Sequence, residues 1–251
     1  MNNPNHYQSQ DNTESSQRLF ERRVYCGVCG RMMIRTTLRR HSPERAFHCP
    51  ACQKDVNSRN YHFRYPIYDL EWDVRKALRK ERRTALRTRD KVTDARITGQ
   101  VALVEQYYHQ KMDSFINKLS TNTKDLNAIF LEKPIDEPFS VDTMKSYTDI
   151  QSTANTLTQK LANNAEILLT FYSSFTLENS WYQLFRQLPE DISLTTDLIK
   201  TTIDQIILTS GKPPEIKFYK QEDRSHLFWS LNLISKVKQR LERKEHLDDD
   251  E

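Results

Sequence analysis

The sequence predicts an α+β fold that is mainly helical: a small β-ribbon held by four cysteines, long helices forming a coiled-coil hairpin, and a small C-terminal α+β unit. Three observations point there. All four cysteines fall within residues 26–52. Charged residues make up 29% of the chain and glycines number only four, which favours helices over a β-rich body. Apolar residues recur at three-and-four spacing through most of residues 67–168.

Residues 1–17 are polar without periodicity and read as a disordered lead with no secretory signal. "YCGVCGRMM" follows, with Cys26 and Cys29 in one C-x2-C turn. Nineteen residues later "CPAC" supplies Cys49 and Cys52. Each turn presents two sulfurs from one side, and two facing turns give the four thiolates that a structural zinc prefers. Iron, two disulfides or a redox pair are the alternatives. Four sulfurs close the coordination shell, so the ion holds structure, and His41 and His48 read as loop or strand residues rather than ligands. Gly27 and Gly30 suit turns in which backbone passes close to sulfur or needs positive φ. Between the pairs, Met32, Ile34, Thr36 and Leu38 alternate with Met33, Arg35, Thr37 and Arg39, as in a strand; "RRHSPER" turns and "AFHC" returns. The ribbon spans 18–66.

Helical period begins at "PIYDLEWDVRKAL", with Ile67, Leu70, Val74 and Leu78 on one face and Asp69 as a capping candidate. It continues past Gly99 through Val101, Val104, Tyr108, Met112, Phe115 and Leu119 until "LEKPIDEP" stops it. Ile150, Ala154, Leu157, Leu161 and Leu168 then repeat at heptad-like spacing. So narrow a seam fits two antiparallel helices paired around the prolines; a helical bundle with the same stripe is the competing reading. The helical region covers 67–178. In 179–251, an aromatic cluster (Trp181, Tyr182, Leu184, Phe185, Leu188) precedes "TTDLIKTTIDQIIL", a helix or a helix running into a strand, then the turn "TSGKPP" and the strand "EIKFY". A final helix, about 225–245, aligns Leu227, Leu231, Ile234 and Leu241 before an acidic tail.

The net charge of +4 hides an asymmetry. Residues 18–48 carry eight Arg and no Lys against two acids, and residues 75–96 carry ten basic residues against three, so the remainder is acidic. Arginine suits bidentate phosphate or guanine contacts. Arg31, Arg35, Arg39, Arg40 and Arg45 on the ribbon, with Arg79, Lys80, Arg82 and Arg83 on the first long helix, are the candidate DNA-binding residues. No apolar run is long enough to cross a bilayer.

This order of parts resembles the C-terminal region of the large serine recombinases. "YCGVCGRMM" matches that family's C-G-x-C-G-x-x-M knuckle at Cys26, Gly27, Cys29, Gly30 and Met33. "PIYDLEWDV" is similar to the helix start after the family's zinc ribbon, through Ile67, Leu70, Glu71 and Val74, and "SLTTDLIKTTIDQIILTSGKPPEIKFY" resembles its closing segment. The resemblance spans about 19–221. Two features depart from it. "CPAC" is more tightly spaced than the family's second pair, and the resolvase-like domain bearing the catalytic serine is missing. Arg40-His41-Ser42 has an Arg-x-Ser spacing, yet Leu38 stands where the Tyr of Tyr-x-Arg-x-Ser belongs. The resemblance implies a non-catalytic module whose zinc ribbon contacts duplex DNA and whose coiled coil meets a serine recombinase or a second copy of the chain. Val104, Tyr108, Phe115, Leu157 and Leu161 are the candidate partner-binding residues, and a small cytoplasmic, nucleoid-associated bacterial protein of a mobile element is the expected setting. The alternative is a zinc-ribbon and coiled-coil protein that grips another protein or RNA.

Overall fold

The computed structural model describes residues 19–37, 44–131, 138 and 140–243. The polar lead, the turn holding Arg39, Arg40 and His41, most of the proline segment and the acidic tail lie outside the described residues. Strands are β1 Val24–Cys26, β2 Ile34–Thr37, β3 Arg45–His48, β4 Tyr65–Pro66, β5 Ile203–Leu208 and β6 Glu215–Phe218. Helices are α1 Ile67–Ile97, α2 Gln100–Leu131, α3 Val141–Ser174, α4 Ser180–Arg186, α5 Thr196–Thr202 and α6 Gln221–Glu242. The chain is mainly helical, with two small sheets.

Two compact units divide the chain, and neither is continuous in sequence: one comprises residues 1–88 and 180–224, the other 89–179 and 225–251. The expected division was 18–66, 67–178 and 179–251, whereas each of the two units joins separate stretches. The physical reason is an interlocked sheet. β1, which leads into the first cysteine turn, pairs in parallel with β5, register Val24 to Ile206 and Cys26 to Leu208, and β6 completes the order β1-β5-β6. The second sheet is the ribbon, β2-β3-β4, antiparallel throughout.

The first unit closes around Phe20, Val24, Leu70, Val74, Leu78, Trp181, Phe185, Ile203 and Ile206, each at most 1% exposed. The expected apolar face of α1 is therefore the buried one. Asp69 lies in the first turn and does not cap it, because the helix begins at Ile67 directly after β4. Glu81, buried on the same face, accepts from the Trp181 indole N–H (3.1 Å) and pairs with Arg224 (3.3 Å). A buried carboxylate needs such partners to offset its desolvation. Within the ribbon, Met33 is buried while Met32 and Ile34 are about half exposed, and Arg35 lies over the Phe47 ring at 5.7 Å. The covered face of β2 is thus the Met33–Arg35 side, because Phe47 comes beneath it.

In the second unit α2 and α3 pair as an antiparallel hairpin. Helix continuity past Gly99 is not found: Thr98 and Gly99 interrupt it, and Gly99, at φ +71°, closes the end of α1 in a backbone conformation that glycine adopts without strain. On α3, Thr143, Tyr147, Ile150, Ala154, Leu157, Leu161, Asn164, Leu168 and Phe171 are shielded in alternating steps of four and three, a heptad seam. Phe130 meets Tyr147 edge-on at 5.7 Å near one end, and Glu105 hydrogen-bonds Tyr172 near the other. From 105 to 130 and from 147 to 172 is 25 residues on each helix, so the register does not slip over about 37 Å. Ser140 caps α3, its hydroxyl accepting from the Thr143 N–H. The part of α6 in this unit adds the Ser174–Ser230 hydroxyl pair (2.6 Å) and an Arg240 bond to the Tyr107 hydroxyl (3.0 Å). Its shielded stripe runs through Leu227, Ser230, Ile234 and Val237, while Leu241, expected on that side, is 42% exposed.

Candidate metal centre

Cys26 ends β1, Cys29 follows in the turn, Cys49 follows β3 and Cys52 opens a short 3-10 turn, Cys52–Lys54. Their four sulfurs lie within 4.8 Å of one another, with Cys26 and Cys52 at 3.6 Å and Cys29 and Cys49 at 3.4 Å, and no disulfide joins them. A tetrahedron with metal–sulfur bonds of about 2.3 Å has edges of about 3.8 Å. The cluster brackets that value around one point, which two separate disulfides would not require. The four cysteines can hold a metal ion. His48 is not in the cluster; its Nδ1 is buried without a partner among the described residues, and burial together with the nearby Arg64 charge pushes its pKa down.

The turns are built by backbone hydrogen bonds. The Gly30 N–H donates to the Cys26 carbonyl (2.8 Å), the Cys26 N–H to Arg31 (2.9 Å) and the Met33 N–H to Val24 (2.8 Å). Gly30 has φ +71°. Gly27 is required by proximity instead: its N–H donates to the Leu208 carbonyl (2.9 Å), and a Cβ there would stand 1.9 Å from Thr209 Oγ1.

Asn60 is the residue that sequence reasoning missed. Only 1% exposed, it donates from Nδ2 to Cys26 Sγ (3.0 Å) and to the Leu208 carbonyl (3.3 Å), while its Oδ1 accepts from the Ser210 N–H (2.9 Å). One amide thus ties a ligand sulfur to the end of β5. "SRNYHF" carries no pattern that would single it out, since its partners lie 34 to 150 residues away. Burial raises the Cys26 thiol, but the backbone N–H groups of Cys29 and Val28 and the Asn60 amide outweigh that and bring it down to about 7. Desolvation leaves Cys52 pushed up to about 12 and Cys49 also raised. Of these three thiols Cys26 ionises most readily, and a cation that binds displaces the protons of Cys49 and Cys52.

The candidate DNA-binding residues divide. Arg31 and Arg45 are exposed on the ribbon. Arg35 is half-buried, one guanidinium nitrogen lacks a partner among the described residues, and desolvation lowers its pKa. Arg39 and Arg40 lie outside the described residues. On α1, Lys80 and Arg83 are exposed, whereas Arg79 pairs with Asp191 (3.3 Å) and Arg82 donates to the Leu188 carbonyl (2.7 Å). Arg82 thus holds the 180–224 segment through one guanidinium nitrogen. The partner-binding set is largely covered: Val104, Tyr108, Phe115 and Leu157 are at most 9% exposed and Leu161 is half-buried. They face the interior because both helices of the seam come from one chain. Exposed apolar side chains instead gather where α2 ends and α3 begins: Phe130, Leu131, Val141 and Met144, each more than half exposed.

Comparison with models of protein families, with curated proteins and with solved structures finds no match. Among the described residues no helix is long and apolar enough to cross a membrane.

Proposed function

We propose that this chain is a non-catalytic duplex-DNA-binding module, related to the C-terminal region of large serine recombinases and acting in site-specific recombination of a mobile element. The observation that carries the reading is the union in one unit of a four-cysteine centre, exposed ribbon arginines and the basic face of α1. Zinc is the ion this donor set suits: four thiolates, no open position, and a protein amide already aimed at one sulfur. Once fixed, the ribbon carries Arg31 and Arg45 toward phosphates, and their charge supplies affinity that falls with salt. A second subunit, either a serine recombinase or another copy of this chain, docks on the apolar end of the hairpin at Phe130, Leu131, Val141 and Met144, which are more than half exposed.

The test is fluorescence anisotropy with labelled duplex DNA across a salt series, on protein shown by metal analysis to carry zinc. The double variant Arg31→Ala, Arg45→Ala removes exposed side chains, so folding is preserved. Its log–log salt slope falls by about 0.9 for each phosphate that is no longer neutralised, close to two in all. Unchanged affinity and slope would refute the role of the ribbon, and tighter binding to RNA than to duplex DNA would favour the RNA alternative. Visible absorption from the metal centre would replace zinc with iron.

A further inference from the structure

The exposed side of α1 carries a pattern that duplex binding does not account for. Tyr68, Trp72, Lys76, Lys80, Arg83 and Arg87 follow one another in steps of four, four, four, three and four, and all are exposed. At about 100° per residue they fall in an arc of about 120°, facing away from buried Leu70, Val74, Leu78 and Ala85. Tyr68 is 74% and Trp72 59% exposed. Among the described residues neither ring makes a hydrogen bond or meets another aromatic, and Lys76, Lys80 and Arg87 have no ion-pair partner. Arg83 bonds only to the Arg79 carbonyl of its own helix (3.3 Å). The other basic side chains of this stretch are committed: Arg75 to Glu71, Arg79 to Asp191 and Arg82 to Leu188. Within 68–88 the acid on the arc is Asp69, beside the rings and not among the cations.

A single exposed apolar residue needs no explanation. Two large rings one turn apart, continuing into four cations, form an ordered surface about 28 Å long. Contacts to the outside of a duplex are made by cations and hydrogen-bond donors to phosphate, and paired bases hide their faces from exposed rings. Flat exposed rings gain most from unpaired bases, which stack on them whatever their sequence.

We propose that this face of α1 binds an unpaired DNA strand, Tyr68 and Trp72 stacking on bases while Lys76, Lys80, Arg83 and Arg87 follow the phosphates. The inference deepens the DNA-binding reading and rests on it for the kind of polymer. It gives the module a preference for locally opened duplex, in which one strand leaves its partner near the ribbon.

Trp72 is its own reporter. The chain has three tryptophans; Trp181 is fully buried, so Trp229→Phe leaves Trp72 as the exposed fluorophore. The zinc-loaded chain is titrated with oligothymidylate, with a fully paired duplex, and with the same duplex carrying a central bubble. Trp72 fluorescence is quenched by the strand and the bubble and not by the paired duplex, and the bubble binds about tenfold tighter than the duplex. The double variant Tyr68→Ala, Trp72→Ala abolishes that preference and leaves duplex affinity within about twofold. Alanine at exposed helical positions preserves the fold. Triple replacement of Lys80, Arg83 and Arg87 by Gln weakens strand and bubble binding and flattens their salt slopes. Duplex binding without preference for the bubble overturns this inference alone. Strand binding without duplex binding supports it and overturns the duplex reading, and failure to bind either overturns both.

Discussion

Replacing Asn60 with alanine tests the link between the cysteine centre and the sheet that carries it. The variant deletes three hydrogen bonds at once: to Cys26 Sγ, to the Leu208 carbonyl and from the Ser210 N–H. Leu208 keeps the Gly27 N–H as a donor at 2.9 Å, so its carbonyl is not orphaned. Ser210 N–H has no replacement among the described residues, and a shielded donor left unsatisfied costs about 1–3 kcal/mol. At about 2 kcal/mol the melting midpoint of a unit of this size drops by roughly 4–8 °C. Cys26 Sγ also loses a donor that stabilises its thiolate, and removal of such an outer partner lowers metal affinity by about 10–100-fold. Competition against a chromogenic zinc chelator measures the second effect, and thermal melting of the zinc-loaded protein measures the first. Asn60→Ala with zinc affinity within about twofold of the parent and an unshifted melt would refute the proposition that this amide supports the centre.

Chelation of zinc, or Cys49→Ser, should raise amide exchange in β1–β3 and also in β5, since β1 and β5 share a ladder, while α2 and α3 keep their protection; unchanged exchange at Ile206 and Leu208 would contradict the coupling. A structural zinc contributes on the order of 10 kcal/mol in small four-thiolate sites, so the effect is large. Phe171→Ala should destabilise the hairpin unit by about 3–5 kcal/mol in urea melts, because the ring is fully buried and stacks on Phe175 at 5.2 Å. His48 is held neutral by burial and by Arg64, so the unfolded chain binds the extra proton first. Its contribution is complete above the ordinary imidazole value near 6.5 and is lost as pH falls through it toward the lowered folded value. His48→Asn should make stability less sensitive to acid as pH falls below about 6.5, and an identical acid dependence in the two proteins would refute that role.

Much of this was legible in residue order. Two C-x2-C turns specify their ligands locally, since each pair needs only one tight turn to converge, and the cluster forms from Cys26, Cys29, Cys49 and Cys52 as expected. The α1 face of Ile67, Leu70, Val74 and Leu78, the helix–strand–turn–strand of 196–218 and the seam of α3 follow from periodicity. The direction of the seam was not legible. A heptad stripe says that a helix is covered and not by whom, so Val104, Tyr108, Phe115 and Leu157 read equally well as a docking surface and as the inside of a hairpin. Arginines were ambiguous for a similar reason: Arg79, Arg82 and Arg83 look alike in a charge run, and their different partners lie on the 180–191 segment or on the helix itself.

Residue order alone specifies the ligand set, the periods of the helices and the concentration of arginine near the ribbon, because each depends on neighbours within a few residues. That β1 joins β5, that Asn60 reaches Cys26 and Ser210, and that Gly27 must stay bare against Thr209 emerge only when the chain is folded. Those pairings join residues more than a hundred positions apart, or side chains with no local periodicity, and they are selected by the packing of the whole unit.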